Sequence, residues 1–370
     1  MKTALIHYWM ISMRGGENVL AEFCRLYPDA DIFTHAWNSE TIREPFSSHR
    51  ITETFISHFP GARTGCQKYL VFMPAALRRL DLSDYDLIIS SESGPAKGIR
   101  KPSGALHICY CHTPMRYLWD MSDLYYRTAG PAGKLSMKLF LNRLRDYDRR
   151  SADSVDRFIA NSAFVADRIR RVYGRESTVI HPPVDTAFFS DPARPGVSAP
   201  KRDFYLCAGQ VTPYKRVELA VLACLKLGRR LVVAGDGPGL NRVKQAAAGS
   251  PLISFTGRCS NEQLRSFYTD ARALIFPGIE DFGIVPLEAQ AAGTPVIALG
   301  QGGALETVLP GRTGLFFPEQ SAVALAGAIE EFEAVPGWDS AFCAQHAEKF
   351  NPERFRAEID AFIRAALKNP

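Results

Sequence analysis

No apolar run in this 370-residue chain approaches the ~18 residues that a membrane-spanning helix needs. Cysteine is sparse and scattered, with eight residues and no pair of C-x-x-C motifs, which argues against a structural zinc site. Cys109 and Cys111 alternate with Ile108 and Tyr110, the pattern of a buried strand, and a reducing cytoplasm fits this usage. No internal repeat or low-complexity segment is evident. The net charge of +5 is modest and gives no case for a nucleic-acid partner. The opening MKTALIHYWM carries a lysine and an apolar stretch. His7 interrupts it and no small-residue cleavage site follows, so it reads as a first strand rather than a signal peptide.

What is present is globular: 46% hydrophobic and 22% charged residues, in a chain long enough for two domains. Strands alternate with helical patterns almost throughout, the α/β signature of parallel sheets. Strands are expected at Thr3–Trp9, Asp31–Ala36, Asp86–Ser90, Leu106–His112, Arg157–Asn161 and Thr178–His181. The stretch Asp191–Asp203, rich in proline and charge, reads as a linker. Further strands are expected at Phe204–Ala208, Arg230–Ala234, Leu252–Phe255, Ala273–Phe276, Pro295–Leu299 and Gly314–Phe317. Ser260, with Gln263 three residues on, predicts a capping box. These signals divide the chain into domains at 1–190 and 200–350, with a final helix over about 352–370. Two basic, apolar stretches stand out, Arg63–Arg79 and Lys134–Arg157. In the second, Leu135, Leu139, Leu141 and Leu144 are read as sharing roughly one helical face. Both stretches suit either solvated amphipathic helices or a surface for anionic lipid headgroups.

The run FPGIEDFGIVPLEAQAAGTPVIA, residues 276–298, is the most informative. A strand breaks at Pro277-Gly278, a helix opens near Ile284, and a second strand follows. Glu280 stands on the loop and Glu288 in the helix, with seven residues between them. The first helical turn, at Phe282, Gly283 and Ile284, offers free N–H groups and the positive dipole end to a diphosphate. Glu280 suits sugar hydroxyls and Glu288 ribose hydroxyls, because ionised carboxylates only accept hydrogen bonds. The plainer reading is a βαβ crossover with two surface glutamates. In AGQVTPYKRVELA, Lys215 and Arg216 sit where a helix opens, which disfavours cations unless an anion binds there. The turn Gly15-Gly16 in MRGGENVL lets backbone amides reach a phosphate or sugar, but is not the dinucleotide G-x-G-x-x-G. In HICYCHTPMRYLWD a strand runs out at His112, followed by Arg116, Tyr117, Trp119 and Asp120.

These motifs, over most of the chain and in this order, resemble the retaining glycosyltransferases of family 4, whose fold is GT-B. The segment around Glu280 and Glu288 is similar to their E-x(7)-E signature. ISSESGPAKGI and the His112 segment resemble a subgroup that includes bacterial mannosyltransferases of O-antigen and exopolysaccharide assembly. The resemblance implies two Rossmann-like doubly wound domains facing across a cleft, with residues from Phe355 to Ala366 packed on the first domain. It implies His112, Glu280 and Lys215 as catalytic. Gly15, Gly16, Arg216, Gly237 (in the turn VVAGDGPGL), Arg258, Phe282, Gly283, Ile284 and Glu288 would bind the donor. Arg258 (in SFTGRCS) lies either against the base or phosphate or on the surface. Arg116, Tyr117, Trp119 and Asp120 become acceptor-side or structural candidates. The family's usual arginine five residues before Lys215 is Gln210 here, so charge on the diphosphate falls to Lys215 and Arg216.

The expected activity is transfer of a sugar, first mannose from GDP-mannose, to a polyprenyl-diphosphate-linked saccharide in surface polysaccharide synthesis. The alternatives are a UDP-sugar-dependent transferase or a GT-B nucleotide-sugar epimerase. A dinucleotide oxidoreductase or an inactive binding protein fits less well. No cofactor or metal is expected. The expected location is cytoplasmic, at most peripheral on the inner membrane face.

Overall fold

The computed structural model describes residues 1–190 and 203–368. The expected linker, apart from Asp203, lies outside the described residues. The chain forms two compact units, Met1–Pro183 with the segment from Phe355, and Val184–Arg354.

The first unit holds seven parallel strands: β1 (Thr3–His7), β2 (Asp31–Thr34), β3 (Ile51–Glu53), β4 (Leu87–Glu92), β5 (Leu106–Cys111), β6 (Arg157–Ala160) and β7 (Ser177–Val179). Their order is β3-β2-β1-β4-β5-β6-β7. Strand β3 was not among the expected strands. Its three residues are all half-buried, too short a run to show an alternation. The second unit holds β8 (Tyr205–Ala208), β9 (Leu231–Ala234), β10 (Ile253–Gly257), β11 (Leu274–Phe276), β12 (Val296–Leu299) and β13 (Gly314–Phe317). Their order is β10-β9-β8-β11-β12-β13, again all parallel. Most inner strands are apolar without alternation, as expected for sheets covered on both faces. In both sheets the winding reverses beside the first strand, between β1 and β4 and between β8 and β11. Loops diverge at the carboxyl ends of such strands, leaving room for ligands.

The helix Gly15–Leu26 buries Val19, Leu20, Phe23 and Cys24 on the first sheet. Phe23 meets Tyr110 and Phe355 edge-to-face, with ring centroids 5.9 and 5.8 Å apart. Phe355 opens an apolar stripe with Ile359, Ile363 and Ala366 along the helix Pro352–Lys368, and all four join the first unit's core. Truncating Phe355 to alanine would cost about 3–5 kcal/mol by the usual core-cavity rule. In the second unit the capping box forms: Gln263 N donates to Ser260 Oγ at 3.3 Å, and Ser260 N to Gln263 Oε1 at 2.9 Å.

The basic stretches differ from expectation. The helix Pro131–Ser151 forms, but its leucines do not share a face. Leu135 and Leu139 are 58% and 59% exposed, whereas Leu141 and Leu144 are half-buried. Two residues along a helix turn a side chain by about 200°, so Leu141 points away from Leu139. Arg63–Arg79 is not one amphipathic helix. It breaks into Ala62–Gly65, a 3-10 segment Cys66–Phe72 and Met73–Leu77. Among the described residues no helix is long and apolar enough to cross a membrane.

Candidate active site

In the second unit, the loops after β8, β9 and β11 converge. Beyond β11, the Lys215 ammonium lies 2.9 Å from Glu280 Oε1, with each side chain under a fifth exposed. Their backbones are pressed together through Gly278, where a Cβ would stand 2.8 Å from Lys215 Cα. Glu280 is held from behind, its carbonyl accepting from Gly303 N at 2.9 Å. Gly283 has φ 116° and caps the helix Ile284–Ala291, so its conformation excludes most side chains. The turn carrying Gly237 lies against the loop after β8: a Cβ there would meet Val211 O at 2.4 Å. These close approaches leave a glycine-lined backbone surface beside a paired cation and carboxylate.

Glu288, inside that helix, is half-buried, and its Oε2 accepts from the Tyr268 hydroxyl at 2.8 Å. Burial raises its pKa, opposed by the Tyr268 hydrogen bond and by Lys215. A ligand hydroxyl donating to this carboxylate would favour its charged form. Phe282 is 3% exposed and packs toward Phe350, so its side chain belongs to the core and only its backbone is available at the turn. Ile284 is half-buried, and Arg258 is exposed just beyond β10.

Arg216 adopts the left-handed region, φ 52°, between a 3-10 turn and the helix Val217–Leu227. A non-glycine residue there carries about 1–2 kcal/mol of strain. Its Nε donates to Glu218 Oε1 at 2.8 Å, and Arg242 Nη2 lies 3.2 Å from the same oxygen. Glu218 is buried, and sequence reasoning did not single it out.

In the first unit, His112 follows β5 and is half-buried. Its Nε2 lies 2.8 Å from Ser91 Oγ, and Ser91 Oγ lies 3.1 Å from His7 Nδ1. His7 Nε2 faces Glu17 Oε1 at 3.7 Å. His7, Glu17 and Ser91 are each 1% exposed. Burial, then the neighbouring His7, pull the His112 pKa down to about 3, so it is neutral near pH 7. Gly15 opens the helix Gly15–Leu26, and Gly16 packs on Tyr8: a Cβ there would meet the Tyr8 hydroxyl at 2.5 Å.

The cluster after His112 divides. Trp119 Nε1 donates to Asp148 Oδ2 at 2.7 Å. Asp148 in turn accepts from Lys97, which also donates to Glu92 at 2.6 Å, all three within 1% exposure. Asp120 pairs with the buried Arg168 at 2.5 Å. Trp119 and Asp120 therefore have internal partners that hold the loop. Tyr117 is half-buried, with its hydroxyl enclosed and lacking a hydrogen-bond partner. Arg116 is half-buried on the same loop.

Three aspartate-x-aspartate triplets occur outside the site motifs, at Asp29–Asp31, Asp84–Asp86 and Asp146–Asp148. Asp31 accepts from Tyr85, Asp84 and Asp86 from Lys2, and Asp148 from Lys97. Among the described residues, no three His, Cys, Asp or Glu gather as a metal-binding group.

Two parallel doubly wound sheets, each reversing its winding beside its first strand, define a protein of two Rossmann-like domains. Residues 13–188 match the family described as Glycosyltransferase Family 4, and residues 192–350 match Glycosyl transferases group 1. The D-inositol 3-phosphate glycosyltransferase of Streptomyces avermitilis is 32% identical over 341 residues, 75% of this chain and 74% of the relative. A GDP-mannose-dependent alpha-(1-6)-phosphatidylinositol monomannoside mannosyltransferase of Mycobacterium tuberculosis is 31% identical over 207 residues, 50% of this chain and 54% of the relative. For two other Streptomyces relatives, the match spans only about half of the relative's length, 51% and 55%. Among solved structures, sucrose-phosphate synthase of Thermosynechococcus elongatus superposes with a TM-score of 0.75 at 19% identity, covering 100% of both chains. HepE of Anabaena, solved with UDP, gives 0.72 at 15% identity, covering 99% of this chain and 100% of that one. The fold is GT-B, and the chain belongs to the family 4 glycosyltransferases.

Proposed function

We propose that this protein is a retaining glycosyltransferase that takes a hexose from a nucleoside-diphosphate sugar. The observation that carries this reading is the Lys215–Glu280 pair beside the glycine-capped helix at Gly283. In this reading Lys215 and Arg216, with the amides at Gly283 and Ile284, stabilise the departing diphosphate. Preorganised donors of this kind are usually the largest catalytic contribution. Glu280 holds the sugar through its hydroxyls, Glu288 the ribose, and neutral His112 contributes a hydrogen bond to the sugar. The acceptor hydroxyl attacks the anomeric carbon on the face the phosphate leaves. Its proton passes to the leaving phosphate oxygen as the glycosidic bond forms and the sugar–phosphate bond breaks.

GDP-mannose is the first choice of donor, supported by the name of the mycobacterial relative. A UDP-sugar is the second, favoured by the UDP complexes of HepE. For the acceptor, a polyprenyl-diphosphate-linked saccharide at the inner membrane face is proposed. The names of several relatives make an inositol phosphate the competing choice. The exposed Leu135 and Leu139, beside Lys134 and Lys138, suit contact with an anionic bilayer.

The first experiment is thermal stability with excess GDP, UDP or ADP. A ligand at a hundred times its dissociation constant stabilises by about 2.7 kcal/mol. A shift with GDP alone selects GDP-mannose for transfer assays with both acceptor types. A shift with UDP alone discards mannose from GDP as the donor. No shift with any nucleotide overturns the donor site.

A further inference from the structure

The first unit contains a polar chain of which the reaction scheme above uses only the last member, His112. It runs Glu17, His7, Ser91, His112, from the helix Gly15–Leu26 through β1 and β4 to the end of β5. His7 and Ser91 are register partners on adjacent strands, so the sheet itself sets their spacing. The ring of Tyr8 lies 4.2 Å from that of His7. Neither His7 Nε2 nor Glu17 Oε2 has a hydrogen-bond partner, although both are enclosed.

The proton positions follow from counting donors. Ser91 has one hydroxyl hydrogen and two imidazole neighbours. If it donates to His112, then His7 must donate from Nδ1, and a neutral His7 turns the bare lone pair of Nε2 toward the Glu17 carboxylate. Two negative ends would then face each other in a buried setting. An imidazolium at His7, or a protonated Glu17, would remove that conflict. A buried imidazolium would need a hydrogen-bonded counter-charge that the 3.7 Å separation does not supply, whereas a neutral N–H at that distance leaves far less to compensate. Glu17 also lies in the first turn of its helix, where free N–H groups favour a carboxylate. The consistent arrangement has Nε2–H of His7 toward Glu17 and the Ser91 hydroxyl donating to His7 Nδ1. Nε2–H of His112 then donates to Ser91.

We propose that Glu17, His7 and Ser91 are positioning residues that lock His112 in its Nε2–H tautomer. The Nδ1 lone pair of His112 is left as an acceptor for a substrate hydroxyl. The role of that lone pair in transfer rests on the glycosyltransferase reading. The lock itself does not.

The test is nitrogen-15 NMR of histidine-labelled protein, which distinguishes the two tautomers at His112 directly. The wild type should show His112 as Nε2–H at pH 7. Glu17→Gln offers an amide N–H to His7 Nε2 and reverses the polarity of the chain, so His112 should switch to Nδ1–H. Ser91→Ala cuts the chain and should leave a mixture, which keeps the test available if Glu17→Gln folds poorly. Wild-type His112 as Nδ1–H or as the cation overturns the lock, as does an unchanged tautomer in both variants. Hydrolysis of GDP-mannose and of UDP-glucose is then measured on the same samples. With the tautomer switched, kcat should fall by about a hundredfold with little change in KM, the scale of a misplaced proton-transfer or hydrogen-bonding group. A switched tautomer with an unchanged kcat upholds the lock and removes His112 from the reaction.

Discussion

The Lys215 ammonium and the Glu280 carboxylate lie 2.9 Å apart, reached from the loops after β8 and β11. The cation suited to a diphosphate is thus neutralised by the carboxylate suited to a sugar. In the proposed reaction, a bound nucleotide competes with Glu280 for Lys215. Glu280→Gln removes the competitor, so GDP or UDP should bind as tightly as before or tighter, while transfer falls about a hundredfold or more. Calorimetry beside a turnover assay checks this. Lys215→Ala should do the reverse to nucleotide affinity. Unchanged turnover in Glu280→Gln would remove Glu280 from the mechanism.

Arg216 separates strain from function. Glycine adopts φ 52° without cost, so Arg216→Gly should relieve about 1–2 kcal/mol of strain. The lost ion pair with buried Glu218 offsets part of that, and Arg242 still faces Glu218. The melting temperature should therefore hold or rise while nucleoside-diphosphate affinity drops. A variant that loses stability and keeps its affinity would show Arg216 to be structural.

Lys97 stands between two buried carboxylates, Glu92 and Asp148, and pairs with both. Burial raises the Glu92 pKa, and Lys97 opposes that rise. Lys97→Met would leave both acids without this partner and should destabilise the protein by about 3–5 kcal/mol. The shift in the urea midpoint measures it. Loss of the Asp148 anchor should also loosen Trp119, visible in its fluorescence.

Acid should weaken the fold early. Burial lowers the pKa values of His35 and His107 from 6.5 to about 4, and that of His112 to about 3. A histidine kept neutral in the folded state contributes stability that is fully present above pH 6.5. That stability is lost as pH falls toward 4, because the unfolded chain takes up the protons first. A tenfold difference in proton affinity between the folded and unfolded chain is worth about 1.4 kcal/mol. The urea midpoint should therefore fall between pH 6.5 and 4.5. His107→Gln, measured against its own value at pH 8, should show a shallower fall. A flat profile for the wild type contradicts the assignment.

Leu135 and Leu139 are exposed on a helix with Lys134 and Lys138. Replacing both leucines with serine should leave the melting temperature unchanged and reduce sedimentation with vesicles of anionic lipid. Equal binding by the variant removes this helix as a membrane contact.

The sequence by itself determined the alternation of strands and helices, the parallel sheets and the loops at Gly15-Gly16, Gly237 and Gly283. These are local properties: apolar runs of strand length, glycines where backbones must touch, and a carboxylate placed just before a helix. The short edge strand β3 carried no such pattern. The helix Pro131–Ser151 was legible, but the orientation of its leucines was not, because Leu141 and Leu144 turn with the helix rather than with composition. Only the tertiary structure decided which polar residues meet. His7 and His112 stand 105 positions apart, yet Ser91 joins them, because β1, β4 and β5 are neighbours in a sheet whose order departs from chain order. His7 inside the apolar run ALIHYW was the one local signal of this chain. Trp119 and Asp120 were acceptor-side or structural candidates in the sequence, and only the structure shows their pairing with Asp148 and Arg168. Backbone periodicity acts over a few residues, whereas buried polar pairing is set by which strands lie side by side.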